Sequence, residues 1–328
     1  MNVLTKTEAP SDSTATPGRT FLRGMSWVAW RRNRTSLLLL IGGTTLFIAY
    51  CVYQRSLLID FLDTPKAAEL SQLLPQDEDK LANAFFVLSS LPLILGVFLG
   101  APLLGAEQEN STLRLTTTQS LARLRVIGTT LAVPLLVIAA LTTLITVVFT
   151  WTWRPVDTYF SGGDWWNNSV IYTTGPVLVA LSLFTTSFGI LAGAVLKRSV
   201  AAMGVTFITL TVGAMMVKDR MASFFVTPHR ISYPMGGESG AGLKPGEVQV
   251  DNWVGTADGK LYGWGTCVRM TEAESTACVK KHGIVNDVVE YVKLDQLPAI
   301  QWSMTGILLA LTVAMLAATV WWMRRKSL

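Results

Sequence analysis

Six long apolar stretches alternate with polar segments along the chain, and this pattern predicts helices that cross a membrane. None of the six contains Asp, Glu, Lys, Arg or His. Each is close to the roughly 20 residues that a helix needs to cross a hydrocarbon core of about 30 Å, and a soluble protein rarely has six such runs. We therefore expect an all-α polytopic membrane protein with six transmembrane helices, at residues 37–53, 84–104, 126–150, 171–196, 199–217 and 300–323.

The polar segment at residues 218–299 predicts a small α+β insert between the fifth and sixth helices. Apolar and polar residues alternate at 248–254, as in a strand with one buried face. The dipeptide Asp258-Gly259 is typical of a hairpin turn, and it precedes a second strand-like run at 260–264. The insert therefore contains at least one predicted hairpin.

A short helix and a disulfide are also predicted within the insert. Thr271 and Glu274 have the spacing of a capping box, which opens a helix that ends near Gly283. Cys267 and Cys278 can pair if the insert faces an oxidising exterior, and the pair would tie this helix to the preceding strand. The alternative is two free thiols. A zinc site is not expected, because the chain has only two histidines and no zinc-site spacing.

Positive charge is distributed unevenly between the two sides of the predicted bundle. With the N-terminus placed inside, the inside segments carry 14 Lys and Arg against 4 Asp and Glu, whereas the outside segments carry 13 and 18. An excess of positive charge is typical of cytoplasmic segments. We therefore expect a multi-pass protein of the bacterial cell membrane with cytoplasmic termini and an extracellular insert. The basic clusters then act as lipid anchors rather than as a nucleic-acid site.

The ends of the chain differ from the transmembrane region at residues 35–217. Residues 1–18 are rich in Ser, Thr and Pro and predict a disordered tail. Residues 19–34 combine apolar positions at helical spacing with several arginines, and they predict an interfacial amphipathic helix. The alternative is that the first transmembrane helix simply extends into the cytoplasm. Residues 324–328 are predicted to be a cytoplasmic tail.

The inside loop at residues 105–125 mixes leucines with charged residues. It is too polar for the hydrocarbon and too apolar for a free loop. We predict a short amphipathic helix at the membrane interface that presents its charges to a partner. The alternative is a reentrant cap whose charges are only solvated. In two predicted helices, Gly96-x-x-x-Gly100 and Gly189-x-x-x-Gly193 would permit close approach of a neighbouring helix.

Two segments resemble a known family. The loop pattern Glu-x-Glu-x-x-Thr-x-Arg-Leu-x-x-Thr-Gln-Ser-x-x-Arg-x-Arg and the pairs Gln301-Trp302 and Trp321-Trp322 are similar to permease subunits of type-2 ABC exporters from actinobacteria. Six spans with a large insert before the sixth agree with the same family. The residues of the loop pattern are Glu107, Glu109, Thr112, Arg114, Leu115, Thr118, Gln119, Ser120, Arg123 and Arg125.

The resemblance implies half of a transporter, with no catalytic residue and no cofactor in this chain. Two permease chains, identical or homologous, would pair around a central pathway, and two copies of a separate ATPase subunit would bind ATP and Mg. The residues implied to dock on the ATPase are Glu107, Glu109, Arg114, Gln119, Arg123 and Arg125. Those implied at the pathway, with core or lipid packing as the alternative, are Phe85, Leu88, Thr206, Thr209 and Met216.

Several functions are excluded by motifs that the sequence lacks. The chain contains no Gly-x-x-x-x-Gly-Lys-Ser/Thr phosphate loop and no His-Glu-x-x-His, and its spans lack the ionisable groups of ion-coupled carriers. The resemblance implies ATP-driven export, and the uncharged spans favour a hydrophobic or amphipathic compound or peptide as the substrate, because they offer dispersion contacts and few ion pairs. The alternative is a membrane sensor or mechanotransmitter, whose insert binds a ligand or envelope partner without transport.

Overall fold

The computed structural model describes residues 25–64, 75–109, 123–156, 165–166, 168–235, 243–244, 246–268 and 271–325. Within these residues, six helical segments are long and apolar enough to cross a membrane, which confirms the six predicted helices. They are Arg34–Leu62, Asp79–Ala106, Gly128–Trp153, Val177–Leu196, Ser199–Val217 and Leu294–Arg325. The side of the membrane on which each loop lies stays a prediction.

Nine α-helices are present among the described residues. Their bounds are α1 Met25–Leu62, α2 Pro75–Leu95, α3 Ala101–Glu109, α4 Arg123–Trp153, α5 Asn168–Thr173, α6 Val177–Leu196, α7 Ser199–Met221, α8 Glu272–His282 and α9 Leu297–Arg325. A π-helical turn at Gly96–Gly100 joins α2 to α3, so these three elements form the second span.

The first span begins earlier than its apolar stretch. α1 runs without a break from Met25, so residues 25–34 are its first turns. This arrangement is the alternative to a separate interfacial helix. No proline is present in the segment to end or bend the helix. Residues 19–24, like the tails at 1–18 and 326–328, lie outside the described residues.

The fourth predicted stretch, residues 171–196, is divided in the structure. Residues 171–173 end the short helix α5, and the fourth span begins only at Val177. Gly175 adopts a φ of +65°, a conformation that glycine reaches at little cost, and Pro176 follows it. The apolar run therefore contains a turn, which its uniform hydropathy does not reveal.

The central helix of the bundle is α6. It packs against α9, α4, α7 and the second span. Within the most apolar part of each helix, 61% of the residues of α6 are buried in the chain, compared with 11% for α7. α7 therefore leaves most of its surface available to lipid or to another chain.

The insert contains a four-stranded antiparallel sheet, which confirms that it is an α+β unit. Its strands are β1 His229–Pro234, β2 Glu247–Thr256, β3 Leu261–Gly263 and β4 Ile284–Lys293, in the order β1-β4-β2-β3. The predicted hairpin is β2–β3, and Gly259 in its turn has a φ of +84°. The sheet packs on the bundle, where Val292 shares a buried cluster with Leu297 and Ile300. We call this side of the bundle the insert end.

The predicted helix of the insert is α8, and it has the expected cap. Glu274 accepts hydrogen bonds from the Thr271 backbone N–H at 3.0 Å and from the Thr271 hydroxyl at 2.8 Å. These bonds lower the pKa of the Glu274 carboxyl below its ordinary value, the hydroxyl contributing most. A disulfide joins Cys267 and Cys278, as predicted, and anchors α8 beside Val254.

Replacing both Cys267 and Cys278 by serine is expected to loosen α8 while the six spans stay assembled. In the chain-entropy model, a bond that closes a loop of this length stabilises by about 3 kcal/mol. α8 has no fully buried residue that could hold it in place instead. Hydrogen exchange should therefore accelerate in α8 but not in β4. Reduction of the wild-type protein should reproduce the change and leave the double variant unaffected, whereas unchanged protection of α8 would contradict the prediction.

Candidate functional site

The end of the second span contacts the start of the fifth. The Glu109 carboxylate, at the last residue of α3, accepts hydrogen bonds from the Ser199 backbone N–H at 3.2 Å and from the Ser199 hydroxyl at 2.9 Å. Ser199 is the first residue of α7, where backbone N–H groups have no partner inside the helix. A carboxylate at this position satisfies one of them and interacts favourably with the helix dipole.

The turn beside this contact is tight. Only Lys197 and Arg198 separate α6 from α7. Lys197 has a left-handed φ of 57°, and its N–H donates to the Gly193 carbonyl at 3.1 Å. A Cβ atom on Gly105 of α3 would lie 3.0 Å from the Ser199 Cα, so the backbones of α3 and α7 are in direct contact here. We call this side of the bundle the loop end.

The hydrogen bonds at Glu109 also favour the ionised form of its carboxyl group. The Ser199 backbone N–H, then its hydroxyl, and then the Arg198 charge lower the pKa of the exposed Glu109 carboxyl below its ordinary value. A depressed pKa stabilises the structure above the pKa of the unfolded chain, and this stabilisation is lost as the pH falls through the lowered value. At neutral pH the carboxylate is therefore charged and its contact with α7 is formed.

The second span and α6 meet backbone to backbone. A Cβ atom on Gly189 would collide with the Gly96 carbonyl oxygen, and one on Gly193 would collide with the Ala101 carbonyl oxygen. Both glycines of each predicted pair thus lie at a helix contact, as the spacing indicated. Because the two backbones touch, α3 cannot move far unless α6 moves with it.

The π-helical turn lies at the centre of this contact. Its closing bond runs from the Ala101 N–H to the Gly96 carbonyl, five residues earlier. One turn before it, the Thr185 hydroxyl of α6 donates to the Pro92 carbonyl of α2 at 2.5 Å. Isolated π turns interrupt the regular helix ladder and are frequent at functional sites. Here the irregular turn fits the second span against α6.

Cationic residues gather at the loop end. The last turn of α9 carries Arg324 and Arg325, and the Arg325 guanidinium lies 5.3 Å from the centre of the Trp321 ring. This turn is near the end of α3, because Trp322 packs in one cluster with Leu104. The structure thus brings the Lys197-Arg198 turn, the α9 terminus and Glu109 to the same end of the bundle.

Five of the six predicted docking residues have side chains that lie outside the described part of the structure. Glu107, Arg123 and Arg125 belong to α3 and α4, but their side chains lie outside the described residues. Arg114 and Gln119, with the amphipathic helix predicted around them, lie outside the described residues altogether. Glu109 alone among the six has a described side chain. Its partner Ser199 was not predicted, although a serine that opens a helix after a two-residue turn is an evident receptor for an anion.

The predicted pathway residues do not share one surface. Phe85 and Leu88 are buried in the core of the chain, where Phe85 meets the Phe149 ring edge to face at 4.9 Å. Core packing was the alternative for both. Thr206 is also buried, whereas Thr209 and Met216 lie on the exposed surface of α7. Burial could not be predicted because these helices are apolar on every face.

Residues 41–221, more than half of the chain, match the family model described as ABC-2 membrane transporter related. The chain belongs to this family. The matched region includes all of the second to fifth spans, and with them Glu109, Ser199 and the four contact glycines. It ends at residue 221, before the sheet of the insert and α9. No curated protein and no solved structure matches the chain.

Membership makes the chain a membrane component of a transporter. The family implies an ATPase partner, and its members are generally not catalytic themselves. In the part of the chain that the structure describes, no group of three or more His, Cys, Asp and Glu side chains is placed to hold a metal ion. The candidate site is a contact between helices, in which Glu109 connects the loop end of the second span to the start of the fifth.

Proposed function

We propose that the chain is the permease subunit of an ATP-driven exporter in a bacterial cell membrane. The observation that supports this most directly is the contact of Glu109 with Ser199. It lies where the segment predicted to dock on the ATPase leaves the second span, and it reaches the turn before the fifth. A displacement of the loop at residues 105–125 would therefore be passed to α7.

The proposed cycle begins at the ATPase subunits, two copies of which bind ATP and Mg. When ATP binding brings them together, they push on the loop through Glu107, Arg114, Gln119, Arg123 and Arg125. α3 moves, and its carboxylate contact at Glu109 shifts α7. The backbone contact at Gly189 and Gly193 makes α6 follow. The second to fifth spans would thus respond as one body to events at the loop end.

The pathway is proposed to lie between two copies of this chain or between this chain and a homologous permease. α7 is the helix with the most surface to offer, because apolar side chains along its length are exposed, among them Ile208, Met215 and Met216. Thr209 and Met216 would line the pathway, while Phe85 and Leu88 would hold the second span in place. A lining of this composition suits a hydrophobic or amphipathic compound or peptide.

The proposed orientation places the loop end in the cytoplasm. Lys197, Arg198, Arg324 and Arg325 all lie there, as an excess of positive charge on the cytoplasmic side requires. The four-stranded sheet at the opposite end would then be extracellular, where the disulfide between Cys267 and Cys278 is stable.

Charge reversal in the docking loop tests the proposal. The double variant Arg123→Glu, Arg125→Glu should lose the ATPase subunit during co-purification, because like charges would face each other where opposite charges are expected to pair. ATP-dependent export by the reconstituted complex should fall with it. The matched control is Arg324→Glu, Arg325→Glu, which makes the same charge change at the same end but outside the loop. Equal recovery of the ATPase with the loop variant and the wild type would contradict the docking role.

A further inference from the structure

A groove near the insert end is not accounted for by the proposed transport cycle. It has a volume of about 790 Å³ and lies between α4, α6 and α9, with Arg55 of α1 at its margin. This volume is in the range of sites that bind small molecules, roughly 300–1,000 Å³. We propose that the groove binds one anionic lipid from the surrounding bilayer, with its head group at Arg55 and Arg154 and an acyl chain along α4.

The charged part of the groove is formed by Arg55 of α1 and by Arg154, which directly follows α4. The Arg55 guanidinium stacks 3.8 Å from the centre of the Trp151 ring and donates a hydrogen bond to the Trp151 carbonyl. Arg154 lies one turn further along and is exposed. Among the described residues, neither arginine has a carboxylate partner. A guanidinium has five N–H donors, so most of those on Arg55 are free to bind an anion.

Threonine residues line the groove next to the arginines. Thr146 and Thr305 line it from α4 and α9, and each is 5% exposed. Their hydroxyl oxygens, like that of Thr150, have no hydrogen-bond partner among the described residues. These three threonines make this part of the groove more polar than the valine and leucine walls beyond it. The ester groups of a lipid lie just below its head group and would lie at the level of these threonines.

The deeper part of the groove is apolar and has the length of one leaflet. Its walls are formed by Val147, Val179 and Leu309. From Thr143 to Arg154 the lining residues follow one face of α4 over about 16 Å, at roughly 1.5 Å per residue. This is close to half of a hydrocarbon core of about 30 Å. Along the groove, charged residues are followed by threonines and then by apolar residues. This order matches an anionic lipid in the leaflet at the insert end.

Lipid binding to the purified full-length chain tests this inference, and it does so without the ATPase or transport. Native mass spectrometry in detergent should show that phosphatidylglycerol binds about tenfold more tightly than phosphatidylcholine with the same acyl chains. The variant Arg55→Gln, Arg154→Gln should remove this preference. Its charge-matched control is Lys280→Gln, Lys281→Gln on α8, which should bind like the wild type. Equal affinity for the two lipids, or an unchanged preference in the arginine variant, would overturn the inference.

A second pair of variants tests the chain-binding part without touching the arginines. Val147 is 60% exposed and lines the groove, whereas Leu136 is 69% exposed on the same helix and does not. Val147→Trp should fill the groove and weaken phosphatidylglycerol binding about tenfold, and Leu136→Trp should have no effect. Both positions are exposed, so either variant should fold. Equal effects of the two tryptophans, or displacement of the lipid by glycerol 3-phosphate, which has no acyl chain, would contradict a lipid site.

Discussion

Replacing Gly189 by alanine should destabilise the bundle by about 3 kcal/mol or more, although it adds only one methyl group. The new Cβ atom would collide with the Gly96 carbonyl oxygen and lie 2.9 Å from the Ala101 backbone nitrogen. Neither atom belongs to a flexible side chain, so the contact can be relieved only if the second span moves away from α6. The same separation would open the hydrogen bond between Thr185 and the Pro92 carbonyl.

The matched control is Gly204→Ala in α7, where a Cβ atom would meet nothing within 4 Å. Alanine is a better helix former than glycine by about 1 kcal/mol, so this variant should be as stable as the wild type or more so. Thermal unfolding in detergent, followed by the fraction that remains folded on size exclusion, gives both values. If the two variants melted at the same temperature, the backbone contact between the second span and α6 would not be the one described.

Local signals in the sequence predicted local structure well. Each of the six helices is marked by its own uncharged run, because the cost of burying charge in hydrocarbon acts residue by residue. In the insert, Asp258-Gly259 and the capping residues Thr271 and Glu274 determine a turn and a helix start from within a few residues. The strands and helix that these signals predicted are present for this reason.

Contacts between distant residues were not predictable in the same way. Ser199 lies 90 residues from Glu109, and no pattern within either segment indicates the other. The spans are apolar on every face, so no pattern separates the buried Phe85 and Leu88 from their exposed neighbours. Hydropathy does not show the turn at Gly175, because the apolar run continues through it, and the one local signal for it is the dipeptide Gly175-Pro176. The Gly-x-x-x-Gly pairs did predict close packing, but not which helix each would meet.

The second large effect is expected at Gln301, a buried polar residue of the sixth span. Its side-chain amide donates to the Thr174 carbonyl at 2.9 Å and to the Thr174 hydroxyl at 3.0 Å. The side chain occupies the space beside Gly175, where a Cβ atom would collide with it. Gln301 thus holds the turn between α5 and α6 in place, and with it the start of the central helix. At 7% exposure it has little access to any other partner.

Gln301→Leu should therefore destabilise the protein by about 2 kcal/mol, because it leaves the buried Thr174 carbonyl without its donor. The control is Ser303→Leu, two residues along the same helix, where the exposed hydroxyl bonds only to the Ala299 carbonyl of its own helix. Thermal unfolding should show a loss for the first variant and almost none for the second.

A double-mutant cycle with Thr174→Val tests the bond from Gln301 to the Thr174 hydroxyl, because valine removes the hydroxyl and keeps the backbone carbonyl. If this bond contributes, the two losses should overlap, and the double variant should be more stable than their sum predicts by about 0.5–1 kcal/mol. Strictly additive losses would contradict a role for the hydroxyl bond. The result also bears on the proposed transport cycle, because Gln301 holds one end of α6 while the contact between Glu109 and Ser199 lies at the other. In that cycle, a motion imposed at the loop end would move α6 about its insert end, which the Gln301 bond keeps in place.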